Sequence, residues 1–421
     1  MIKILHFADA HIDIAGHGRH DALSGLPLRV LDFLKALDAI VETAVSEKVD
    51  LVIFAGDAYK DRTPSPTYQR EWGKRIARLS AARIPTLLLT GNHDVSPAAG
   101  RAHTMQEFDT LDVPYVRVLD KPDFLAPEQL WNLPVQVLSL PWIFRSGLMS
   151  TLLGQNLSPE DVNEEIGKRV ITIVEGWLDN LDPRVPAVLV AHATIQGATF
   201  GNERSVMLGK DVVLPGGLVK DPRLDYAALG HIHKYQNLNE GAHPPVIYPG
   251  SIERVGFGET EDEKGFVIAS VEKGKTTFER RLLSGRPFYN LTVKAKDKDT
   301  LMPDILKALP AKEKINNAML RLEVEYPRAL ELFLDETVLR EHCAQAFEFH
   351  LVRRPLEEAR TRFSQDDDSV ANLDPLELLE RYWKMTSTNS AETKSLQSLA
   401  ASIIQNVSGM GDTAAQAIED A

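Results

Sequence analysis

Only one cysteine, Cys343, occurs in 421 residues, which excludes an intramolecular disulfide framework and any zinc site built on several thiolates. It fits a reducing cytoplasm, and that is the location we expect. Long apolar runs are also missing. Nothing approaches the roughly 20 residues that a membrane helix needs, so no membrane association is expected. The first residues hold an apolar stretch of only a few positions, interrupted by His6 and Asp9, and read as a buried first strand and not as a signal peptide. The third absence is an excess of positive charge. The formal net charge is −13, which is unfavourable for a protein that grips a polyanion through Lys and Arg alone. From residue 357 onward, 12 acidic residues face 5 basic ones, so about half of the excess lies in the tail. Bound divalent cations would add positive charge where a phosphate sits, which formal counting omits. The acidity therefore points to a partner.

What is present is the composition of a folded protein, 43% hydrophobic and 25% charged, long enough for two or three domains. Up to about residue 282 one rhythm repeats: a short β-branched apolar run ends in a polar cluster and gives way to a helical pattern or a loop. The runs are Ile2 to Phe7, Leu51 to Ala55, Thr86 to Leu89, Val135 to Leu140, Ala187 to Ala191 and Tyr226 to Leu229. Continuous apolar runs of this kind suit strands buried on both faces. Leu28 to Glu47 and Ser158 to Leu181 space their apolar residues at helical intervals, which predicts an α/β layered fold. Further strands are expected at Val246 to Tyr248, Gly265 to Val271 and Thr276 to Leu282, closing the sheet in antiparallel fashion.

A second, α+β module follows from about Arg286 to Arg353. It reads as a strand at Tyr289 to Val293, a polar helix, a strand at Met319 to Val324 and a helix from Leu330 to Ala346. It holds no cluster of metal-type residues, and its expected role is to shape the substrate. After the polar linker around Gln365 to Ser369, Asp374 caps a helix with Pro375 at its first position. A second helical stripe runs from Leu396 to Val407. Two short amphipathic helices on a tether cannot bury their apolar faces alone, so either they pack back on the body or they dock on another protein, and docking is the expectation.

The chemistry is concentrated at strand ends. The first apolar run leads into Asp9-Ala-His11, the second into Gly56-Asp57 and the third into Gly91-Asn92-His93-Asp94. Later runs end in Ala191-His192 and Gly230-His231-Ile-His233. In an open α/β sheet, ligands collect just outside the carboxyl ends of the strands, so residues far apart in sequence converge on one edge. Carboxylate, imidazole and amide oxygen without thiolate select divalent ions such as manganese, iron or zinc. Two such ions, about 3.5 to 4 Å apart, can clamp a phosphate and activate a water. Alternate residues of a strand point the same way, so Asp9 and His11 share a face, as His231 and His233 can. Singly, each piece has a plain explanation, since Gly-Asp is usually a turn. The joint series is what points to metal. His6, His17, His20, His103, His243, His342 and His350 lack a strand-end partner and read as non-ligands.

This series resembles the calcineurin-like metallophosphoesterase superfamily. With Phe7-Ala-Asp-Ala-His11, Leu140-Pro-Trp142, Tyr248-Pro-Gly-Ser251 and Phe257-Gly-Glu259 added, it is similar to the SbcD family of DNA nucleases within it. The resemblance implies a layered metallophosphoesterase β-sandwich flanked by helices over residues 1–283. It further implies a small capping, DNA-shaping domain at 284–354, a linker at 355–372 and a helical partner-binding tail at 373–421. One metal would be held by Asp9, His11, Asp57 and His233. The other would be held by Asp57, Asn92, His192 and His231, with Asp57 bridging. His93 would be a catalytic residue free of metal and positioned by Asp94, donating a proton to the departing sugar oxygen or stabilising the transition state. The family cleaves DNA with two divalent ions, typically manganese, as a 3′ to 5′ exonuclease and a single-strand and hairpin endonuclease. It acts on DNA ends with an SbcC-like ATPase, as a homodimer within a heterotetramer. Some relatives carry a histidine where Lys60 stands here.

A small-molecule or cyclic-nucleotide phosphodiesterase is the alternative, because the metal core alone does not choose the substrate. Protein phosphatases are disfavoured: their second motif continues Gly-Asp-x-x-Asp-Arg-Gly, whereas here it is Gly56-Asp-Ala-Tyr-Lys-Asp-Arg-Thr63.

Overall fold

The computed structural model of the chain describes residues 1–13, 18–95, 101–143, 159–201, 212–356, 374–385 and 393–404. Strands β1 (Ile2–Phe7), β2 (Leu51–Phe54), β3 (Thr86–Leu89) and β4 (Val116–Leu119) run parallel in a six-stranded sheet. On the far side of β1 the sheet continues antiparallel through β13 (Gly265–Glu272) and β14 (Lys275–Leu282). A second six-stranded sheet has β6 (Gln136–Leu140), β7 (Ala187–His192), β10 (Tyr226–Gly230) and β12 (Val246–Tyr248) in parallel. The edge strands β5 (Asp123–Leu125) and β11 (Gln236–Asn237) flank it in antiparallel. The short strands β8 (Thr194–Ile195) and β9 (Val213–Leu214) form a separate parallel pair. The expected antiparallel closure is thus correct for β13 and β14 and wrong for Val246–Tyr248. That segment joins the second sheet in parallel, with Ala227 opposite Val246.

Alternation along each strand sorts the side chains into three cores, as a period of two requires. Ile2, Ile4, Leu51, Ile53 and Leu87 of the first sheet meet Val137, Val188, Val190 and Ala228 of the second in a core between the sheets. The opposite faces of the first sheet, Leu5, Phe7, Val52, Phe54 and Leu88, pack on helices α1 (Leu28–Ser46) and α2 (Pro66–Ala81). Those of the second, Leu138, Leu189, Ala191 and Leu229, pack with Ile166, Val170 and Val174 of the helix Pro159–Asp179. The result is an α/β/β/α sandwich, a mixed α/β fold with helices flanking its sheets. The central strands β2, β3, β6, β7 and β10 are covered on both faces, which is why they read as unbroken apolar runs.

Contacts divide the chain into two compact units, one comprising Met1–Leu291, Leu309–Leu322 and Thr337–Leu351, the other Thr292–Ala308, Glu323–Glu336 and Val352–Ala421. The sandwich belongs to the first. In the second, Leu301 and Ile305 of the helix Lys298–Ala308 are buried, as are Val324 and Tyr326, and Lys294 pairs with Glu325 at 2.8 Å. A three-stranded sheet orders β15 (Phe288–Lys294), β16 (Met319–Pro327) and β17 (Glu348–Leu356). The single helix expected from Leu330 to Ala346 is instead a 3-10 turn, Arg328–Phe333, and a short helix, Glu336–His342. Leu332 is 95% exposed, so this stretch has no continuous apolar face to bury. In the tail, Pro375–Met385 and 393–404 are helical, and Gln397 donates to Glu380 at 2.7 Å. His17 and residues 357–373 lie outside the described residues; of the expected linker at 355–372, Pro355 and Leu356 are described and end β17 instead. Among the described residues no helix is long and apolar enough to cross a membrane.

Candidate metal centre

β1, β2 and β3 of one sheet and β7 and β10 of the other end at the same place. Asp9 and His11 follow β1, Asp57 follows β2, Asn92 and His93 follow β3, His192 closes β7, and His231 and His233 follow β10. Two groups form. Asp9, His11 and His233 offer ligand atoms within 4.8 Å of one another, and so do Asp57, His192 and His231. Asn92 joins the second group, its Oδ1 lying 3.1 Å from His192 Nε2 and 2.9 Å from His231 Nδ1. Asp57 lies between the groups, with Oδ2 at 3.3 Å from His192 Nε2 and 3.9 Å from His11 Nε2. All seven residues singled out in the sequence as metal ligands are therefore neighbours. The described histidines read as non-ligands enter neither group. His6 is buried with Nδ1 3.0 Å from the Tyr226 hydroxyl and Nε2 3.2 Å from Leu229 O, and His103 faces Asp120.

The backbone is bent to make this meeting possible. Asp9, His11, Asp57 and His231 all have positive φ, of 52°, 38°, 65° and 104°, a region that non-glycine residues adopt at a cost and that collects at functional sites. Hydrogen bonds hold the bends: Asp9 N–H donates to Gly56 O at 2.9 Å, and Ala10 N–H to Asp57 O at 2.8 Å. Two glycines are required by close approach. A Cβ at Gly91 would collide with the Asp57 carboxylate, and one at Gly230 with Ala55 O.

The tautomers follow from the partners, since a carbonyl or ionised carboxylate can only accept. His11 Nδ1 faces Tyr59 O at 3.3 Å, His192 Nδ1 faces Ala55 O at 2.7 Å, and His233 Nδ1 faces Glu259 Oε1 at 2.8 Å. Each Nδ1 therefore carries the hydrogen, and each Nε2 turns a lone pair inward. The consequence is a pocket of acceptors facing acceptors. His11 Nε2 and His233 Nε2 stand 3.0 Å apart, and His192 Nε2 faces the oxygens of Asn92 and Asp57. Only protons or cations between them relieve that repulsion, so the donor set fits divalent ions. Anchoring of the outer ring nitrogen by a carbonyl or carboxylate is also what metal-ligating histidines show.

Electrostatics say the same. Burial would raise the Asp57 carboxyl, but His192, His93 and His11 outweigh it and hold it far below the usual carboxylate range. Burial alone would depress His192, yet the adjoining Asp57 lifts it to about 9, so without a cation a proton takes its place. His11 is pushed down to about 3 by burial and by His233. Burial raises Asp9 to about 6, against the pull of His233 and His192.

One expectation fails. Asp94 does not orient His93: its Oδ2 accepts the N–H groups of Asp57 and Gly91, both at 2.8 Å, and its Oδ1 that of Ala58 at 2.9 Å. The carboxylate is consumed in fastening the β2 and β3 loops together. His93 Nδ1 instead meets Lys60 O at 2.6 Å, and its backbone N–H donates to Asp57 Oδ1 at 2.8 Å. Three supporting residues are not singled out by the sequence. Glu259 holds His233 and is itself paired with buried Lys264 at 2.8 Å. Burial would raise Glu259, but the hydrogen bond from His233 and the charge of Lys264 outweigh it and bring the carboxyl down to about 2. Asp13 accepts the N–H groups of Lys60 and Asp61. The Trp142 ring lies 4.9 Å from that of His231. Glu259 and Trp142 stand within recognised motifs, and Asp13 lies two residues past His11, yet no spacing rule gives any of them a task.

The sequence profile of the family described as calcineurin-like phosphoesterase matches residues 2–235. Among solved structures the chain is similar to the protein TT1561 of Thermus thermophilus, at 14% identity and a TM-score of 0.36, over 66% of this chain and 98% of that one. It is similar to a dimetal phosphatase from Danio rerio at 12% identity and a TM-score of 0.38, over 67% and 96% of the two chains. It is also similar to GAP50, the anchor in the inner membrane complex of Plasmodium, at 11% identity and a TM-score of 0.33, over 76% and 96%.

Proposed function

The chain belongs to the calcineurin-like phosphoesterase family, metal-dependent hydrolases of phosphoesters that use two divalent ions, and from that premise we propose that it is an SbcD-like DNA nuclease processing the ends of double-strand breaks. The observation that carries the hydrolytic part is Asp57, whose carboxylate stands between two sets of inward-facing imidazoles. Asp9, His11, Asp57 and His233 would hold one ion, and Asp57, Asn92, His192 and His231 the other, manganese being our choice. When bound, the pair supplies charge neutralisation at the phosphate and an activated water for in-line attack.

The chain's own groups supply the rest. His93 is half-buried at the edge of the centre. Its Nδ1–H donates to Lys60 O, a contact that orients the ring and leaves Nε2 as the atom to give a proton to the departing sugar oxygen. Lys60, exposed beside it, adds positive charge near the phosphate. Asp94, Asp13 and Glu259 keep the loops and rings in place.

The DNA assignment is supported by the run of motifs shared with the SbcD family, by the module after residue 283 and by the two tail helices. A small diester would need neither of the last two. In this reading residues 1–283 are the nuclease domain, 284–354 a cap that shapes DNA, and 373–421, joined by the linker at 355–372, the docking segment for an SbcC-like ATPase. Two such subunits pair as a homodimer within a heterotetramer in the cytoplasm. Purified protein with manganese should cleave labelled duplex and hairpin DNA as well as bis-p-nitrophenyl phosphate. Turnover of the small ester alone would reject the nuclease reading.

A further inference from the structure

A cavity of about 330 Å³ in the first unit is lined by Arg19, Arg29, Phe257, Phe288, Phe347 and His350 among others, none of which serves the metal centre. We propose that this cleft is a stacking subsite for one unpaired base of a nucleic-acid strand; the inference rests on the nuclease reading and deepens it.

Its walls are aromatic and its rim is cationic. The Phe257 ring lies 5.4 Å from that of Phe288 and 5.5 Å from that of His350. The exposed Arg19 holds its guanidinium 4.8 Å from the Phe347 ring centroid and donates to Phe347 O, and Arg286 stacks on the same ring at 3.7 Å. The acid at the mouth, Glu348, is paired with His350 at 3.0 Å. Flat π faces beside guanidinium groups suit a base and its phosphate, a pairing that works for any base. The volume lies at the lower end of ordinary ligand pockets, about 300 to 1,000 Å³, and takes one nucleoside, not a duplex.

The cleft also adjoins the metal centre through one turn. Phe257 begins the 3-10 turn Phe257–Glu259, and Glu259 grips His233 with Oε1 and the Val255 N–H with Oε2, the latter at 2.9 Å. Arg254 braces the turn from behind, donating to Glu259 O and Thr260 O. A base in the cleft thus lies against the segment that orients a ligand of the centre. This couples placement of the strand to the geometry of the site.

The test uses metal-free full-length protein and short single-stranded oligonucleotides carrying 2-aminopurine, whose fluorescence is quenched on stacking. The wild type should quench the probe at one position along the strand. Phe347→Leu, which keeps the packing and removes the π face, and Arg19→Ala should abolish that quenching. Both should weaken binding about ten-fold, the loss of one stacked base, and both should hydrolyse bis-p-nitrophenyl phosphate as the wild type does. Quenching and affinity unchanged in both variants, in a protein that cleaves DNA, would overturn the cleft alone. A wild type that neither binds nor cleaves oligonucleotides while hydrolysing the small ester would overturn the nuclease reading and the cleft with it.

Discussion

The carboxylate of Asp94 grips the backbone of Asp57, accepting its N–H at 2.8 Å. The last residue of the Gly-Asn-His-Asp motif is thus a clamp on the central carboxylate's loop and not a partner of the adjacent histidine. Asp94→Asn keeps the shape but turns an amide N–H toward backbone donors, leaving at least one buried N–H unmatched. The variant should lose about 1 to 3 kcal/mol of stability and bind metal more weakly, as read by denaturant unfolding and manganese titration. Full stability with a pH–rate profile altered as in a His93 variant would restore the pairing of Asp94 with His93.

His93→Ala should keep the metal content of the wild type, because the ring belongs to neither ligand group. Its single-turnover rate should fall by about 10² to 10⁴, the usual worth of a general acid. Elemental analysis beside quenched-flow kinetics checks both halves. Loss of an ion in this variant would make His93 a ligand.

His6 provides a pH signature separate from the metals. Burial pushes it down to about 3, against a supporting bond to Leu229 O. Its folded value lies below that of the unfolded chain, so unfolding takes up a proton. Its contribution to stability is therefore present at neutral pH and lost as pH falls below about 6.5, by at most about 1.4 kcal/mol per pH unit down to about 3. Urea unfolding of metal-free His6→Gln should be less stable than the wild type at pH 7 and should close that gap as the pH drops to about 5.5, one unit below the ordinary histidine value. A gap that does not change with pH would mean that His6 titrates normally.

Tail docking makes a claim about particular side chains. Leu399 and Ile403 are 59% and 53% exposed on the 393–404 helix. Leu399→Glu, and deletion from Pro375 onward, should each abolish co-purification with an SbcC-like ATPase while leaving ester hydrolysis intact. Undiminished association would refute the docking role.

The sequence made the site legible because its ligands sit close to strand ends, and those strands are apolar enough to be found. β1, β3 and β12 are read to the residue, and the other parallel strands of the two sheets, β4 apart, nearly so. Helix α2 escapes notice because only Trp72, Ile76, Leu79 and Glu71 of its 16 residues are buried, a thin stripe amid charge. The small strands Val116–Leu119 and Asp123–Leu125 have partly open faces and no clean run. Supporting roles are hidden for a different reason. That Asp94 clamps two loops and that Glu259 holds His233 depends on where backbone N–H groups come to lie, which follows from tertiary approach and leaves no periodic trace in the chain.

The most direct test is to count ions in manganese-loaded protein by anomalous diffraction and elemental analysis, for the wild type and for Asp57→Ala. The wild type should hold two, about 3.5 to 4 Å apart, with the Asp57 carboxylate touching both, and the variant should hold no more than one. Two fully occupied sites in Asp57→Ala, or a single ion in the wild type, would contradict the shared centre.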